Sequence, residues 1–492
     1  MLVEDNKRTY TDLPKPSTQS VKDILAQLDN SGLSRFHWKA MITSGMGFFT
    51  DAYDLFIIGV VNSLLIPLWH LNALEIALIN SVSLLAAAFG SLIFGRLADH
   101  IGRHKIYGLT LIVLAVGAVL SALSPNIYWL LAFRLIMGLG IGGDYPLSAT
   151  LMSEYANRKD RGKLITMVFS MQGLGLILGP LVAIVLLSSG ISQDLTWRLM
   201  LGLGAVPALA TFYLRRQIAE TPRFALMMNG DLDTAMTTTN QVIGNTGKHS
   251  RVSAARNRQE KRPARKSNAA LLFTRRYLGW IIGTAGAWFL LDIAYYGTTT
   301  SNTLILSALD THANQTTHML EVLVIFLVAA LPGYIVAALT IDRLGRKTIQ
   351  CFGFALMALT YGVLALVPSL THLIIPFLTV YAVGYFFTEF GPNVTTFVYP
   401  AEIFPVQVRS TAHGVAAGLG KIGAFVGAFA FPYLLSSSWH LPGAMGFAAI
   451  VSILGLVLTI FTLPEPNGRS LEDISGDHEL MAQEKHEPMR VR

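Results

Sequence analysis

Four aspartates and two cations lie within stretches of this sequence that are apolar enough to span a lipid bilayer. The acids are Asp51, Asp54, Asp144 and Asp292, and the cations are Arg134 and Lys421. An ionised group at membrane depth costs from about 3 to more than 10 kcal/mol by different measures, so such residues usually line a water-filled cavity. The pattern predicts a protein that moves a charged solute.

Three polar side chains recur at every fourth residue of one apolar stretch: Trp288, Asp292 and Tyr296. On a helix this spacing places an indole N–H, a carboxylate and a phenol on one face. A purely aromatic stripe would indicate packing, but lipid and apolar cores both reject the central aspartate. We therefore interpret the stripe as part of a binding site. Side chains in other stretches that can converge on the same solute are Tyr145, Gln172, Asn393 and Lys421.

A second group of charges has the arrangement expected of proton carriers. Asp51 and Asp54 are three residues apart and share a helix face, where two like charges in a low dielectric favour protonation of one of them. We expect Arg134 to pair with Asp51 and to be released when this carboxylate is protonated. Asp144, ten residues beyond Arg134, is a candidate to shuttle the proton or to donate a hydrogen bond to the solute.

The composition agrees with a membrane protein. Hydrophobic residues make up 52% of the 492 residues, charged residues make up only 14%, and the mean hydropathy is +0.50. A single cysteine, Cys351, excludes an internal disulfide and the multi-cysteine metal motifs. The fold must therefore be held by packing, and no cofactor or metal is expected.

Twelve apolar runs are long enough to cross a bilayer, six on each side of a polar insert. They lie near 40–68, 76–97, 105–124, 128–152, 163–188, 197–214, 277–305, 317–341, 348–369, 372–398, 410–435 and 440–463. The predicted fold is an all-α membrane protein with twelve transmembrane helices in two six-helix bundles. Its predicted divisions are an N-terminal tail (1–39), an N-terminal bundle (40–214), a basic linker (215–275), a C-terminal bundle (276–463) and a C-terminal tail (464–492).

The distribution of Lys and Arg predicts the orientation. Both tails and the loops after the even-numbered spans hold 34 of the 37 basic residues, whereas the loops after the odd-numbered spans hold one, Arg198. Cationic loops stay on the cytoplasmic side of membranes, so both termini and the linker are predicted to be cytoplasmic. This topology explains the net charge of +7 without a nucleic-acid partner.

A short turn motif occurs once in each half. Residues 95–103 (Gly-Arg-Leu-Ala-Asp-His-Ile-Gly-Arg) close the second span, and residues 342–347 (Asp-Arg-Leu-Gly-Arg-Lys) close the eighth. The glycine permits a tight reversal while Asp and Arg hold neighbouring helix ends, so such turns can lock one half against the other. We predict gating roles at these helix ends for Asp99, Arg103, Glu154, Arg158, Asp342, Arg346, Glu402 and Arg409.

Twelve helices with this paired turn resemble the major facilitator superfamily over residues 36–474. The stretches 220–223 (Glu-Thr-Pro-Arg) and 464–470 are similar to its sugar-porter branch. Motifs in six helices closely resemble the phosphate:proton symporter family, which includes high-affinity phosphate permeases. They are 51–56 (Asp-Ala-Tyr-Asp-Leu-Phe), 142–148 (Gly-Gly-Asp-Tyr-Pro-Leu-Ser), 171–173 (Met-Gln-Gly), 288–296 (Trp-Phe-Leu-Leu-Asp-Ile-Ala-Tyr-Tyr), 391–393 (Gly-Pro-Asn) and 420–423 (Gly-Lys-Ile-Gly).

The resemblance implies proton-coupled symport of inorganic phosphate by alternating access, in the plasma membrane or the bacterial inner membrane. It implies that phosphate is bound by Tyr145, Gln172, Trp288, Asp292, Tyr296, Asn393 and Lys421, with proton coupling by Asp51, Asp54, Arg134 and Asp144. The implied partners are phosphate, protons and the lipid bilayer, with no obligate protein partner. The family motifs do not settle whether Glu389, four residues before Asn393, titrates.

A carboxylate beside an anion has a chemical rationale. Phosphate keeps one or two protons at physiological pH, so an ionised Asp292 can accept a hydrogen bond from a phosphate O–H that fully deprotonated sulfate lacks. Symport of an organophosphate, another organic anion or a sugar remains an alternative, as does a phosphate-sensing receptor with little flux. Enzymatic activity is not expected, because the sequence has no P-loop, HExxH or G-x-S-x-G motif.

Overall fold

Residues 18–244, 267–309 and 315–477 are described in the computed structural model of this chain, and they contain helices but no strand. Twelve helices in this part of the chain are long and apolar enough to cross a membrane, so the predicted fold of twelve spans is confirmed. We number them α1 Arg35–Trp69, α2 Ala73–Ile101, α3 Arg103–Ala122, α4 Ile127–Tyr155, α5 Arg161–Ser188, α6 Gln193–Arg215, α7 Arg275–Thr300, α8 Thr316–Leu344, α9 Arg346–Leu366, α10 Ile374–Ile403, α11 Arg409–Ser436 and α12 His440–Thr462.

Short helices surround the end of the structure at which α1 begins and α12 ends, which we call the basic end. They are Thr18–Asp29 before α1, Pro222–Met227 and Leu232–Val242 after α6, and Leu471–Ser475 after α12. A separate apolar cluster joins Val21 and Ile24 to Phe224 and Val406. The first part of the insert is therefore packed against the spans, whereas its most basic stretch, 251–266, lies outside the described residues.

The most extensive contacts between the two halves are those of α2 with α11 and of α5 with α8. Small residues allow this approach. A Cβ atom on Gly95 of α2 would lie only 2.6 Å from the backbone oxygen of Ser410 in α11. Helices in a membrane associate through such close packing because no hydrophobic driving force acts between them.

Interruptions in two helices position polar groups at mid-membrane. Helix α10 breaks at Gly391, and Pro392 begins its second piece, so Asn393 lies in a first helical turn. Helix α8 contains a π-helical segment, Phe326–Ala330, one turn before Tyr334. Interrupted helices of this kind occur where they line a cavity or a site.

The repeated turn has the same geometry in both halves. Gly102 and Gly345 have φ values of 109° and 88°, which favour glycine. Each turn is followed by a helix whose N-terminus faces a carboxylate: Glu220 accepts from the backbone N–H of His104 at 3.3 Å, and Glu465 accepts from two N–H groups of α9 at 3.1 and 2.9 Å. Negative charge is stabilised at a helix N-terminus. Burial is the main reason why the pKa of the Glu220 carboxyl is raised.

Gly345→Ala is expected to lower the stability of the fold by about 1–3 kcal/mol, because a side chain is strained at this positive φ. Its Cβ would also lie 2.5 Å from Glu465 Oε2. The measurement is the melting temperature of the purified protein in detergent. Gly362→Ala is the matched control, because Gly362 lies in α9 with nothing within 4 Å of its Cβ position. Equal melting temperatures for the two variants would contradict the prediction.

Candidate functional site

A buried lysine lies where the two bundles meet. Lys421 of α11 is 1% exposed, and its Nζ donates hydrogen bonds to Tyr145 Oη of α4 at 2.7 Å and to Tyr296 Oη of α7. The ammonium lies 4.3 and 4.6 Å from the centres of these two rings, which adds cation–π attraction. Since α4 and α7 belong to different bundles, Lys421 joins the two halves at their centre.

Asp51 supplies the opposite charge. Its Oδ2 lies 3.9 Å from Lys421 Nζ and accepts a hydrogen bond from Tyr145 Oη at 2.6 Å. A buried ion pair is favourable only when hydrogen bonds satisfy its remaining polar atoms, and the phenols do this here. We call Asp51, Tyr145, Tyr296 and Lys421 the central cluster.

Asp292 lies one turn before Tyr296 on α7 and is 1% exposed. Its Oδ2 has no hydrogen-bond partner among the described residues. Lys421 attracts this carboxyl electrostatically and Asp51 repels it. Buried carboxylate oxygens are normally hydrogen-bonded, so Asp292 is placed to accept a hydrogen bond from a solute that brings its own O–H.

Gln172 and Asn393 approach each other from opposite bundles through a tyrosine that the sequence analysis missed. Tyr334 Oη of α8 donates to Gln172 Oε1 of α5 at 3.3 Å and accepts from Asn393 Nδ2 of α10 at 2.8 Å. Asn393 Nδ2 also donates to Glu389 Oε2. A lone tyrosine in an apolar helix gives no sequence signal that distinguishes it from packing.

Aromatic rings close the site on the side of the basic end. Phe48 precedes Asp51 by one turn, and its ring centre lies 5.0 Å from that of Phe397 in α10. Phe169 stacks on Phe397 at 4.6 Å, and Trp288 meets Phe397 edge-on at 6.3 Å. These four rings come from α1, α5, α7 and α10. We call them the aromatic floor.

Arg134 pairs with Asp54, and the predicted pair with Asp51 is wrong. Its two terminal nitrogens donate to Asp54 Oδ1 at 3.2 Å and Oδ2 at 3.1 Å, and Nη2 also donates to Ser83 at 3.0 Å. Helices α1 and α4 run in opposite directions. The acid farther along α1 therefore meets the residue that comes earlier in α4, and Asp51 meets Tyr145 instead.

Asp144 is bound by a cation that the sequence analysis did not count. Both carboxylate oxygens accept from Arg215, whose guanidinium is 1% exposed and lies 3.8 Å from the ring centre of Tyr107. Arg215 is the last residue of α6, one position beyond the predicted end of that span. Arg215 and Ser148 are the donors to Asp144, and its carboxylate makes no hydrogen bond to the central cluster among the described residues, although its charge acts on Asp51. Its role as a proton shuttle or a donor to the solute stays a prediction.

Two buried carboxylates at the basic end are each bound by arginines from both halves of the chain. Glu154 is bound by Arg103 at 3.2 Å and Arg409 at 3.1 Å, and Glu402 is bound by Arg346 at 2.7 Å and Arg161 at 2.9 Å. Arg158, predicted to belong to this set, is exposed and has no ion pair among the described residues. Arg161, at the start of α5, occupies the corresponding place.

The aspartates of the repeated turn bind helix N-termini of the opposite bundle. Asp99 of α2 accepts from the backbone N–H groups of Ser410 and Thr411 at 3.2 and 2.6 Å. Asp342 of α8 accepts from those of Gly162 and Lys163 at 3.0 and 2.7 Å. The favourable contact between a carboxylate and a helix N-terminus therefore holds α2 to α11 and α8 to α5.

The seven residues predicted to bind the solute are all between 1% and 2% exposed. The ion pairs and the aromatic floor separate them from the basic end. Toward the opposite end, Phe56 of α1 lies 6.1 Å from Phe326 of α8, ring centre to ring centre, and the small cavity nearby holds about 20 Å³. The structure is an occluded conformation.

Residues 33–477 match the family model described as sugar (and other) transporter. Among curated relatives, a probable inorganic phosphate transporter 1-6 of Arabidopsis thaliana is 36% identical, with coverage of 93% of this chain and 96% of the relative. The low affinity inorganic phosphate transporter 1 of Petunia hybrida is 37% identical with the same coverage. The inorganic phosphate transporter 1-11 of Oryza sativa subsp. japonica is 37% identical over 92% of this chain and 90% of the relative.

Solved structures share the fold at low identity. The proton:xylose symporter XylE of the major facilitator superfamily, bound to 6-bromo-6-deoxy-D-glucose, superposes with a TM-score of 0.77 at 19% identity, over 90% of this chain and 99% of that chain. The inward open conformation of XylE from E. coli gives 0.67, also at 19% identity, over 89% and 99% of the two chains.

Arg215→Met is expected to lower the stability of the folded protein by about 3–5 kcal/mol, because it leaves the Asp144 carboxylate buried without its partner. The melting temperature in detergent should fall accordingly. Arg216→Met is the matched control, since Arg216 is exposed. The double change Asp144→Asn with Arg215→Met should recover much of the loss. If Arg215→Met and Arg216→Met melt alike, the ion pair has no such role.

Proposed function

Because this chain belongs to the sugar (and other) transporter family of the major facilitator superfamily, we propose that it transports inorganic phosphate together with protons across a membrane. The relatives named as inorganic phosphate transporters align with nearly the whole chain, so the proposal concerns the complete two-bundle structure and not one shared domain. Twelve spans make the protein a multi-pass integral membrane protein.

One observation carries the choice of solute: the buried Asp292 Oδ2 lacks a hydrogen-bond partner in the described residues and lies in the field of Lys421. A site with a cation beside an acceptor that lacks a hydrogen bond can bind an anion that still carries a proton, because the cation attracts the negative charge and the acceptor takes the hydrogen bond. Phosphate meets both conditions, since its oxygens can accept from Lys421 and its O–H can donate to Asp292. The phenols of Tyr145 and Tyr296 and the amides of Gln172 and Asn393 supply further polar contacts.

The central cluster offers a route for proton coupling. With Asp51 ionised, its carboxylate holds the hydroxyl of Tyr145 and attracts Lys421. Protonation of Asp51 removes this attraction and frees both groups for an incoming anion, so binding of the proton favours binding of phosphate. Arg134 pairs with Asp54 and not, as predicted, with Asp51. In the same way, protonation of Asp54 would release Arg134.

In an alternating-access cycle, the contacts at the basic end have to break for the site to open there. Every ion pair of Glu154 and Glu402 that crosses between the bundles must break before the site opens there, as must the helix contacts of Asp99 and Asp342. The bundles then rock around the central cluster. From the distribution of Lys and Arg we assign the basic end to the cytoplasm.

The enclosure of the site favours a small solute. Trp288 and Tyr296 are each 2% exposed and fill the space that an organic substituent on phosphate would need. An organophosphate therefore fits less well than phosphate, and a neutral sugar offers no negative charge to Lys421 once Asp51 is protonated. Direct measurement of phosphate uptake distinguishes a transporter from a phosphate receptor with little flux. We assign the protein no catalytic role.

The proposal predicts that the purified protein in proteoliposomes takes up labelled phosphate when the outside is acidified. Excess unlabelled phosphate should compete, and sulfate should not, because it has no O–H to donate to Asp292. Asp292→Asn should weaken phosphate binding about 10- to 100-fold, since it removes a charge-assisted hydrogen bond. Asp194→Asn is the matched control, because Asp194 is exposed and pairs only locally with Arg198. Sulfate uptake at the rate of phosphate would refute the proposed selectivity.

Asp51→Asn should abolish accumulation of phosphate against its gradient while exchange of phosphate across the vesicle membrane continues. The amide cannot bind or release a proton, whereas Lys421 remains to bind the anion. Accumulation is measured under an imposed proton gradient, and exchange is measured with phosphate on both sides at equal pH. Accumulation equal to that of the Asp194→Asn control would remove Asp51 from proton coupling.

A further inference from the structure

Glu389 is a buried acid of α10 that the proposed mechanism does not use. Its side chain is 0% exposed, and it lies one turn before Asn393. Glu389 Oε2 accepts a hydrogen bond from Asn393 Nδ2, whereas Oε1 has no hydrogen-bond partner among the described residues. Asn393 therefore holds Oε2, whereas the polar groups near the carboxyl besides Asn393 are the phenols of Tyr295 and Tyr334.

Glu389 also lacks an ion pair, which is unusual in this structure. Of the buried carboxyl groups in the described residues, all but Asp292 and Glu389 lie within 4.0 Å of a basic nitrogen: Asp51, Asp54, Asp99, Asp144, Glu154, Glu402, Glu472 and Asp477. Asp292 still interacts with Lys421, but no cation of the described residues acts on Glu389.

Phenols from four helices, and no cation of the described residues, act electrostatically on Glu389. They are Tyr295 and Tyr296 of α7, Tyr334 of α8, Tyr361 of α9 and Tyr385 of α10. A phenol can donate or accept one hydrogen bond, but it does not neutralise a carboxylate. Full burial without a counter-charge strongly favours the neutral acid over the carboxylate.

We propose that Glu389 is a second proton carrier of the transport cycle: it holds a proton in this occluded conformation and releases it when the bundles separate. The inference rests on the proposed function, because it concerns the number of protons moved with each phosphate. The step is an ordinary acid dissociation. The O–H bond of the Glu389 carboxyl breaks, the electron pair stays on the carboxylate oxygen, and the proton passes to water.

A chain of hydrogen bonds connects Glu389 to the contact between the bundles. Gln172 belongs to the N-terminal bundle, and it accepts from Tyr334, which accepts from Asn393, which donates to Glu389. Separation of α5 from α8 breaks the first of these bonds and opens the surface of Tyr334 to water. Water that enters there hydrates Glu389 and removes the penalty on its charged form. Release of the proton is thus tied to the conformational change.

The test uses the full-length protein and the variant Glu389→Gln, which keeps an acceptor for Asn393 but binds no proton. Infrared difference spectra of the purified protein should show a carboxylic-acid carbonyl band that the variant loses. In proteoliposomes, the ratio of protons to phosphate, obtained from the reversal potential of the transport current, should fall by one proton in the variant. Glu321→Gln is the matched control, because Glu321 pairs with His318 near the start of α8 and is partly exposed. This variant should change neither quantity.

An infrared band that persists in Glu389→Gln, or a proton ratio equal to that of the unaltered protein, would overturn the proposal. If Glu389→Gln does not fold, Glu389→Asp replaces it. The shorter acid withdraws from Asn393, so the pH midpoint at which the acid band disappears should shift, and an unmoved midpoint would also overturn the proposal. If the unaltered protein takes up no phosphate, the proposed function fails instead, and the infrared measurement still decides whether Glu389 holds a proton.

Discussion

A lysine ammonium buried between two helix bundles has to be compensated by groups from both of them, and this requirement organises the centre of the protein. The cost of removing a charge from water exceeds what one imperfect ion pair returns. Lys421 therefore has a carboxylate from α1, one phenol from α4 and another from α7. The two bundles therefore meet at this cluster as well as at the ion pairs of the basic end.

The buried acids fall into two classes that match two kinds of task. Acids such as Asp144, Glu154 and Glu402 meet a guanidinium, are neutralised within the fold and hold helices together. Asp292 and Glu389 have no ion pair among the described residues, and each has one oxygen without a hydrogen-bond partner there, which leaves both acids available to solute or water in the proposed cycle. Asp51 and Asp54 lie between these classes, because each has an ion pair and each is proposed to take up a proton.

The fold was predictable because span length and the placement of Lys and Arg are properties of the chain alone. The face shared by Trp288, Asp292 and Tyr296 followed from helical periodicity. The ion-pair partners of the charged residues could not be predicted in this way. Arg134 pairs with Asp54 because α1 and α4 are antiparallel. Arg215 pairs with Asp144 although it lies one residue beyond the predicted end of its span. Such contacts depend on how helices pack and on the reach of arginine, which local sequence does not specify.

The donors that close the basic end are guanidinium groups and backbone amides, none of which loses its proton at physiological pH. Acidification therefore leaves the donor half of every one of these contacts unchanged. Acidification can weaken the closure at that end only by protonating its acceptors, which are the carboxylates of Asp99, Glu154, Asp342 and Glu402. A response of turnover to acidity can therefore arise at two levels of the molecule, and the carboxylate that takes up the proton decides whether it changes solute binding or the opening of the basic end.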